Sequence, residues 1–252
     1  MREQLGRLGL PFERLSAVDG RTADKDFLNK YYSRNLNKKN YYRGLTDGEI
    51  ACYISHLKVC EKILFENLDY AIVLEDDIRL KDGFKHVPEI LGTIPFKWNY
   101  IKLISPFKER KVVSEIPVAT ELQSKYVVEN WHMNESGAFE KTSQEKLVML
   151  PIICKIVKWR KPPAGTQAYA ISRSGAEEFL AMRSTFYRPI DVDLQFTWET
   201  RLNVMGLLPA MCELENAPSE INREKIRCHY PFAHLIFKMK YAAKFRRAKS
   251  QE

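Results

Sequence analysis

The sequence predicts an α/β domain in which helices cover both faces of a central sheet. Helical and strand patterns alternate along the chain, as they do in that class of fold. The apolar run at residues 69–74 is too short for a helix and is typical of a parallel strand covered on both faces. Two Ser/Thr-x-x-Glu capping boxes, at 46–49 and 174–177, indicate where helices begin. Hydrophobic residues make up 45% of the 252 residues, which supplies a packed core and excludes intrinsic disorder.

The first half of the chain contains one long predicted helix. Before it, residues 2–9 end a short helix, residues 11–18 form a strand, and Asp19-Gly20 closes that strand with a turn. Residues 29–44 form a basic, tyrosine-rich connection, and the long helix follows at residues 47–67. Its buried stripe consists of apolar residues at helical spacing: Ile50, Tyr53, Ile54, Leu57, Cys60 and Leu64.

The second half of the chain contains further strands and another helix. We expect strands at residues 99–105 and 168–172, since both are short apolar runs. The capping box at Ser174 predicts a helix that ends near residue 183. Residues 106–160 are polar and lack a clear period, so no element is assigned there.

Cysteine usage and hydropathy limit the class of protein. The five cysteines lack CxxC spacing, which excludes a zinc knuckle and gives no sign of a disulfide framework, so we expect a reducing compartment. Residues 1–6 carry charge and contain no signal-peptide-like apolar stretch. Because no window of about 18 apolar residues occurs, we expect a protein that is soluble or bound to a membrane surface.

Charge is concentrated at the C-terminal end. The formal net charge is +8, and residues 222–252 carry nine basic and two acidic side chains. We therefore predict a nearly neutral domain at 1–221, followed by a basic amphipathic tail at 222–252. Such a tail is typical of an anchor on an anionic membrane surface. The alternative is an ordinary helix whose apolar side packs on the domain.

The acidic triplet Glu75-Asp76-Asp77 follows the apolar run at residues 69–74. Ligands of open α/β sheets bind beyond the carboxyl ends of strands. Three adjacent carboxylates repel one another unless a cation neutralises them. The pattern predicts a Mn²⁺ or Mg²⁺ site that also binds a diphosphate, with a solvated loop as the alternative.

The long helix places Glu49 and His56 on one flank, together with Cys52. In the functional interpretation, Glu49 or His56 lies at the mouth of the site. In the structural interpretation, Glu49 caps the helix and His56 packs in the core. The capping role is favoured for Glu49, and both interpretations stay open for His56.

Residues 47–58 (DGEIACYISHLK) together with 71–78 (AIVLEDDI) closely resemble glycosyltransferase family 25. This family includes bacterial lipooligosaccharide galactosyltransferases and, more distantly, collagen galactosyltransferases. Residues 10–20, 165–172 and 189–193 are also similar to segments of the family. The resemblance covers about residues 5–220. Family members usually begin with an additional apolar strand; we expect either that this form lacks that strand or that the start of the sequence is misassigned.

The resemblance implies a GT-A-like nucleotide-diphospho-sugar transferase fold, with a mixed sheet. It implies inverting transfer of a hexose, with UDP-galactose as the favoured donor. Asp77 would be the principal metal ligand, while Glu75 and Asp76 would contact the ribose or complete the metal shell. Thr166 and Gln167 would lie near the donor sugar.

The resemblance also implies a catalytic base and an acceptor. Asp191, or else Asp193, would be the base for the acceptor hydroxyl, because inversion needs a carboxylate opposite the leaving group. The alternative for Asp191 is a helix N-cap. The acceptor would be a lipid-linked oligosaccharide of the lipooligosaccharide or lipopolysaccharide type, at the cytoplasmic side of a bacterial inner membrane.

Two other functions remain as alternatives. One is a catalytically inactive, truncated relative that serves as an interaction module. The other is an RNA-binding protein that uses the tyrosines of residues 29–44 and the basic tail. We expect no nucleic-acid partner, because the domain is nearly neutral and lacks an RNP-type motif.

Overall fold

The computed structural model describes residues 1–104, 112–133, 139–159, 161–182, 185–215 and 228–249. The helices are α1 (Arg2–Arg7), α2 (Lys25–Tyr31), α3 (Arg34–Asn40), α4 (Asp47–Phe65), α5 (Val87–Gly92), α6 (Arg173–Met182), α7 (Ile190–Asp193) and α8 (Ala233–Lys249). The strands are β1 (Tyr70–Leu74), β2 (Ile78–Leu80), β3 (Tyr100–Lys102), β4 (Val112–Met133), β5 (Phe139–Trp159), β6 (Ala168–Ser172), β7 (Val204–Leu208) and β8 (Cys212–Leu214).

A six-stranded mixed sheet forms the centre of the fold, in the order β1-β6-β3-β7-β5-β4. Strands β3 and β7 are parallel, and every other neighbouring pair in this sheet is antiparallel. Strands β2 and β8 form a separate two-stranded sheet. The predicted α/β class and mixed sheet are confirmed.

Helices cover both faces of the sheet, as predicted. Side chains alternate between the faces along each strand, so Tyr100 packs in one buried cluster and Ile101 in the other. The Ile101 cluster includes α1 and α5. The Tyr100 cluster includes α2, α4, α6 and α7.

Helix α4 begins as the capping box predicts. The Thr46 hydroxyl accepts a hydrogen bond from the backbone N–H of Glu49, and the Glu49 side chain accepts one from that of Thr46. The capping box predicted at Ser174 is wrong. Ser172 accepts the hydrogen bond from the Gly175 backbone instead, because α6 begins at Arg173.

Two strand predictions need correction. Residues 11–18 form no strand: they belong to no element and are mostly exposed, and the Val18 backbone N–H donates to the Ser55 hydroxyl rather than to a strand. Strand β1 exists, but it is antiparallel to β6 at the sheet edge, and all its residues are only half-buried. A short apolar run indicates a strand, but its neighbours depend on chain topology.

The segment without assigned elements contains a long β-hairpin. Strands β4 and β5 pair with each other along their length, while β5 pairs with β7 only over Lys155–Lys158. The tyrosine-rich connection at residues 29–44 contains the short helix α3 and the end of α2. All five cysteines are free thiols, as expected without a disulfide framework.

Candidate functional site

The candidate site lies where β1 ends and β6 begins. Because these strands are antiparallel neighbours, Glu75 lies beside Thr166 and Gln167. The Glu75 backbone N–H donates to the Gln167 carbonyl at 2.8 Å. The Thr166 hydroxyl donates to Glu75 Oε1 at 2.6 Å. The structure therefore brings together three residues that the family resemblance assigned to the donor.

Helix α4 adds His56 to this group. Its Nε2 atom lies 3.5 Å from Glu75 Oε1, and its Nδ1 atom lies 2.7 Å from the Tyr169 hydroxyl oxygen. Burial by itself lowers the pKa of His56, but hydrogen bonds with Cys52 and Glu75 outweigh burial and raise that pKa to about 9. His56 is therefore a buried cation at neutral pH.

Glu75 is the anion of this pair. Burial would raise its pKa, but His56, the Thr166 hydroxyl and the charge of Lys102 together hold the pKa of Glu75 below its ordinary value. The carboxylate is thus ionised and held between α4 and the start of β6. The Glu75 side chain is therefore held in one position within the site before any ligand binds.

Lys102 is a site residue that the sequence analysis missed. It lies on β3, is 3% exposed, and donates a hydrogen bond to the Gly165 carbonyl. Gly165 has φ +94°, and a Cβ there would lie 2.3 Å from Gln167 Oε1, so glycine is required. Lys102 thus supports the turn that presents Thr166. A lysine within the apolar run of residues 99–105 was the available signal.

Asp76 and Asp77 differ in their surroundings. Asp76 is exposed, whereas Asp77 is half-buried and its Oδ1 atom has no hydrogen-bond partner among the described residues. Burial, together with the charges of Glu75 and Asp76, raises the pKa of Asp77 above its ordinary value. A buried carboxylate oxygen of this kind lacks a compensating donor or cation.

The carboxylates of Glu75, Asp76 and Asp77 fit part of a divalent-cation site. Among the described residues, no three His, Cys, Asp or Glu side chains are grouped closely enough to hold a metal ion by themselves. Mg²⁺, however, is usually bound by one or two carboxylates, with substrate phosphates and waters completing its shell. The partnerless oxygen of Asp77 beside Glu75 and Asp76 fits that donor set.

Glu49 has a structural role in this geometry. Besides capping α4, its two carboxylate oxygens accept hydrogen bonds from Arg43 at 2.7 Å each, and the pair is buried. The capping alternative therefore describes Glu49, and its side chain faces Arg43 rather than the group around Glu75.

The two candidate bases lie in different environments. Asp193 is 3% exposed, forms an ion pair with Arg188, and accepts a hydrogen bond from the Tyr53 hydroxyl at 2.5 Å. Asp191 is half-buried, and its Oδ1 atom accepts the Val192 backbone N–H at 2.8 Å. Because its carboxylate is buried in an ion pair, Asp193 is the poorer candidate for a base.

Two further aspects of these candidates became visible only in the structure. Arg188, the buried partner of Asp193, also donates to Glu199. Asp191 is not the N-cap of α7, since Pro189 occupies that position. The N-cap alternative for Asp191 is therefore wrong, while its role as a base stays a prediction.

Comparison with known proteins identifies the family of this chain. The model of glycosyltransferase family 25 (LPS biosynthesis protein) matches residues 1–194. The chain is 34% identical to the inactive glycosyltransferase 25 family member 3 of Mus musculus over 89 residues, which are 34% of this chain and 15% of that protein. It is 40% identical to a glycosyltransferase 25 family member of Aedes aegypti over 81 residues, 31% of this chain and 13% of that protein.

A further relative has a more specific name. The chain is 33% identical to procollagen galactosyltransferase 1-B of Xenopus laevis over 88 residues, 34% of this chain and 14% of that protein. The chain thus spans less than a sixth of the length of each of these three relatives. The family model nevertheless covers well over half of this chain, including the site around Glu75 and the segment with Asp191. The chain belongs to glycosyltransferase family 25.

Proposed function

We propose that this chain transfers a hexose from a UDP-sugar to an oligosaccharide acceptor, with inversion and with the help of a divalent cation. The observation that carries the proposal is the buried Oδ1 atom of Asp77 beside Glu75 and Asp76, for which the described residues supply no hydrogen-bond partner. These carboxylates follow β1 at its carboxyl end, where α/β sheets bind their ligands. Family membership supports the reaction class.

The donor is proposed to lie against the group around Glu75. Thr166 and Gln167 would lie beside the sugar, and Glu75 or Asp76 would accept hydrogen bonds from the ribose. Buried Oε1 of Gln167 has no hydrogen-bond partner among the described residues, so it is available to accept one from a ligand hydroxyl. Galactose is favoured because a relative is named a galactosyltransferase.

The cation is proposed to bind Asp77, with Glu75 or Asp76 as a second ligand. When bound, Mn²⁺ or Mg²⁺ supplies positive charge that stabilises the departing nucleoside diphosphate. The protein holds Glu75 ready through His56 and Thr166, so this carboxylate needs little reorganisation.

Asp191 is proposed as the base that accepts the proton of the acceptor hydroxyl. A direct displacement with inversion needs a carboxylate on the face opposite the leaving group. Asp191 is more accessible than Asp193, whose carboxylate is buried against Arg188 and Tyr53. This difference supports Asp191 over Asp193.

The acceptor is proposed to be a lipid-linked oligosaccharide of the lipooligosaccharide or lipopolysaccharide type. The description of the matching family as an LPS biosynthesis protein supports this class. Such an acceptor would place the enzyme at the cytoplasmic face of a bacterial inner membrane, with α8 near the lipid.

A second candidate is an inactive relative that retains the fold. One similar protein is named inactive, and Glu75 is already engaged by His56 and Thr166 in this structure. The RNA-binding alternative receives less support. Tyr32 and Tyr41 are buried, and Tyr42 packs on His234 and Phe237, so these rings do not present free faces for bases.

Calorimetric titration with UDP, in the presence and absence of Mn²⁺, tests the donor site. Tighter binding with Mn²⁺ is expected, followed by transfer from UDP-galactose to a lipid-linked acceptor. Binding of UDP without any turnover would favour the inactive relative. Failure of UDP to bind in either condition would contradict the proposed function.

A further inference from the structure

Helix α8 carries apolar side chains on two different faces. At 100° per residue, Phe237, Tyr241 and Phe245 follow one another along one face. Leu235 and Met239 lie on the opposite face, with Ile236 at its border. A helix that only packed on the domain would need one apolar face. The second face therefore requires its own explanation.

The inner face packs on the domain through three half-buried aromatic rings. Phe237 packs on Tyr41 with ring centroids 5.1 Å apart, and Tyr241 packs on Phe196 at 4.9 Å. Phe245 packs on Trp198 at 5.6 Å. The helix is thus attached to the domain through its inner aromatic residues, without help from the opposite face.

The outer apolar residues lie immediately before α8 and in its first two turns. We call Phe232, Leu235, Ile236 and Met239 the outer stripe; their exposed fractions are 78%, 56%, 36% and 64%. Among the described residues, five of twelve exposed large hydrophobic side chains lie within residues 230–239, these four and Tyr230. Single exposed apolar side chains are ordinary, but a contiguous group marks an interaction surface.

Basic residues surround the outer stripe. Residues 233–249 contain six basic side chains and no acidic one: Lys238, Lys240, Lys244, Arg246, Arg247 and Lys249. Helical geometry places Lys238 and Lys240 on opposite sides of Met239, and Arg246 two turns further along its face. An apolar centre flanked by cations is complementary to anionic lipid headgroups above an acyl layer.

We infer that the outer stripe of α8 is a contact surface for an anionic lipid bilayer, in which its apolar side chains insert between the headgroups. None of the helices in the described part of the chain has the length and apolar character to cross a bilayer, so this contact is interfacial. A nucleic acid would match the charges equally well, but it would leave the outer stripe exposed to water. The apolar residues therefore favour lipid.

The inner face connects this contact to the candidate site. Lys244 lies 3.4 Å from Glu199, and Glu199 pairs with the buried Arg188. Arg188 pairs in turn with Asp193, which accepts the Tyr53 hydroxyl of α4. The helix is thus tied to the element that carries His56. A bilayer bound to the outer stripe would therefore have a defined orientation relative to the site. This orientation would help to present a lipid-linked acceptor, a point that rests on the proposed function.

Co-sedimentation with vesicles tests the inference on the full chain, without donor or acceptor. Vesicles of phosphatidylcholine with phosphatidylglycerol are compared with vesicles of phosphatidylcholine alone. The double variant Leu235→Ser with Met239→Ser removes apolar area from the outer stripe. The matched control is Leu36→Ser with Phe65→Ser, which alters two exposed apolar residues on other helices.

Wild type and control are expected to bind the anionic vesicles, and the outer-stripe variant is expected to bind about tenfold more weakly or worse. Binding is also expected to fall with salt and on neutral vesicles. Unchanged binding of the outer-stripe variant would overturn the inference. So would absence of vesicle binding together with salt-sensitive retention of poly(U) RNA, which would assign the surface to nucleic acid.

A UDP titration of the same variant separates the two proposals. The outer-stripe variant is expected to keep wild-type UDP affinity and thermal stability, because its altered side chains point away from the domain. If wild type bound vesicles but not UDP, the lipid surface would stand and the proposed function would fail. If the wild type bound UDP but not vesicles, the donor site would stand and the lipid-contact surface would be refuted.

Discussion

His56 Nε2 lies 3.5 Å from Glu75 Oε1, and this contact joins helix α4 to the end of β1 inside the candidate site. Tyr169 holds the other ring nitrogen at 2.7 Å. This ion pair is therefore largely shielded from solvent and links α4 to the end of β1. Its loss should lower both the stability of the protein and its affinity for the donor.

Replacing His56 tests the contribution of the His56–Glu75 ion pair to stability. His56→Ala leaves Glu75 without its main cationic partner, so we expect the free energy of unfolding to fall by about 3 kcal/mol. His86→Ala is the control, because His86 lies 3.6 Å from the exposed Glu89; its effect should stay within about 0.5 kcal/mol. Urea denaturation measures both. If the two substitutions lowered the free energy of unfolding equally, the stabilising role of the His56–Glu75 ion pair would be contradicted.

The same pair predicts an alkaline loss of stability. The pKa of His56 is raised to about 9 in the folded protein, above the ordinary value of 6.5. The folded state thus binds this proton more tightly than the unfolded chain, so the stabilisation is complete below pH 6.5 and disappears as the pH rises to about 9. Thermal unfolding at several pH values should show this decline in wild type and a weaker one in His56→Ala.

Asp77 should show opposite effects with and without a cation. Without one, Asp77→Asn is expected to raise the melting temperature, because the raised pKa shows that the charged form is disfavoured in the fold. With Mn²⁺, the variant should lose metal-dependent UDP affinity and about 100-fold or more in turnover.

The exposed Asp82 provides the control for Asp77. Asp82→Asn removes a carboxylate whose side chain is 93% exposed, so neither melting temperature nor UDP affinity should change. Differential scanning fluorimetry and calorimetry measure both quantities. Retained Mn²⁺-dependent UDP affinity in Asp77→Asn would refute the metal assignment.

Lys102 should support the turn at Gly165 and Thr166, which we call the donor turn. Lys102→Met removes the hydrogen bond to the Gly165 carbonyl and a positive charge near Glu75, so we expect a stability loss of about 1–3 kcal/mol and a higher KM for the donor. Lys97→Met is the control, because Lys97 is exposed in the segment that leads into β3. Donor kinetics decide: an unchanged KM with reduced stability would show a purely structural lysine.

Asp191 and Asp193 should separate catalysis from stability. Asp191→Asn is expected to reduce turnover by about 10²–10⁴-fold while UDP binding and stability stay at wild-type values. Asp193→Asn removes one of the two carboxylates that pair with the buried Arg188 and leaves only Glu199, so it should cost about 3 kcal/mol of stability. Single-turnover kinetics and urea denaturation distinguish them. Full activity of Asp191→Asn would assign the base to another residue.

Local signals predicted much of the fold. The capping box at Thr46 and the apolar period after it identified α4, because caps and helical faces depend on residues three or four positions apart. The strands at residues 70–74 and 168–172 were also recognisable, since short apolar runs between polar segments favour strands. The acidic triplet after β1 indicated the site, because it directly follows such an apolar run.

Long-range contacts were beyond such signals. The pairing of Glu75 with Thr166 joins residues 91 positions apart, and that of His56 with Tyr169 joins residues 113 positions apart. The segment at residues 11–18 has strand-like composition, but a strand forms only where a neighbouring strand supplies hydrogen bonds. Likewise, no local pattern distinguishes the buried Asp193 from the more accessible Asp191.

The sequence by itself determined the class of fold, the start of α4 and the position of the carboxylates, because each follows from interactions between near neighbours. Only the tertiary structure decided that Glu49 pairs with Arg43 and that Lys102 supports the donor turn. It also divided the apolar residues of α8 between a domain face and a solvent face. The physical reason is that burial and charge pairing depend on which segments the folded chain brings together.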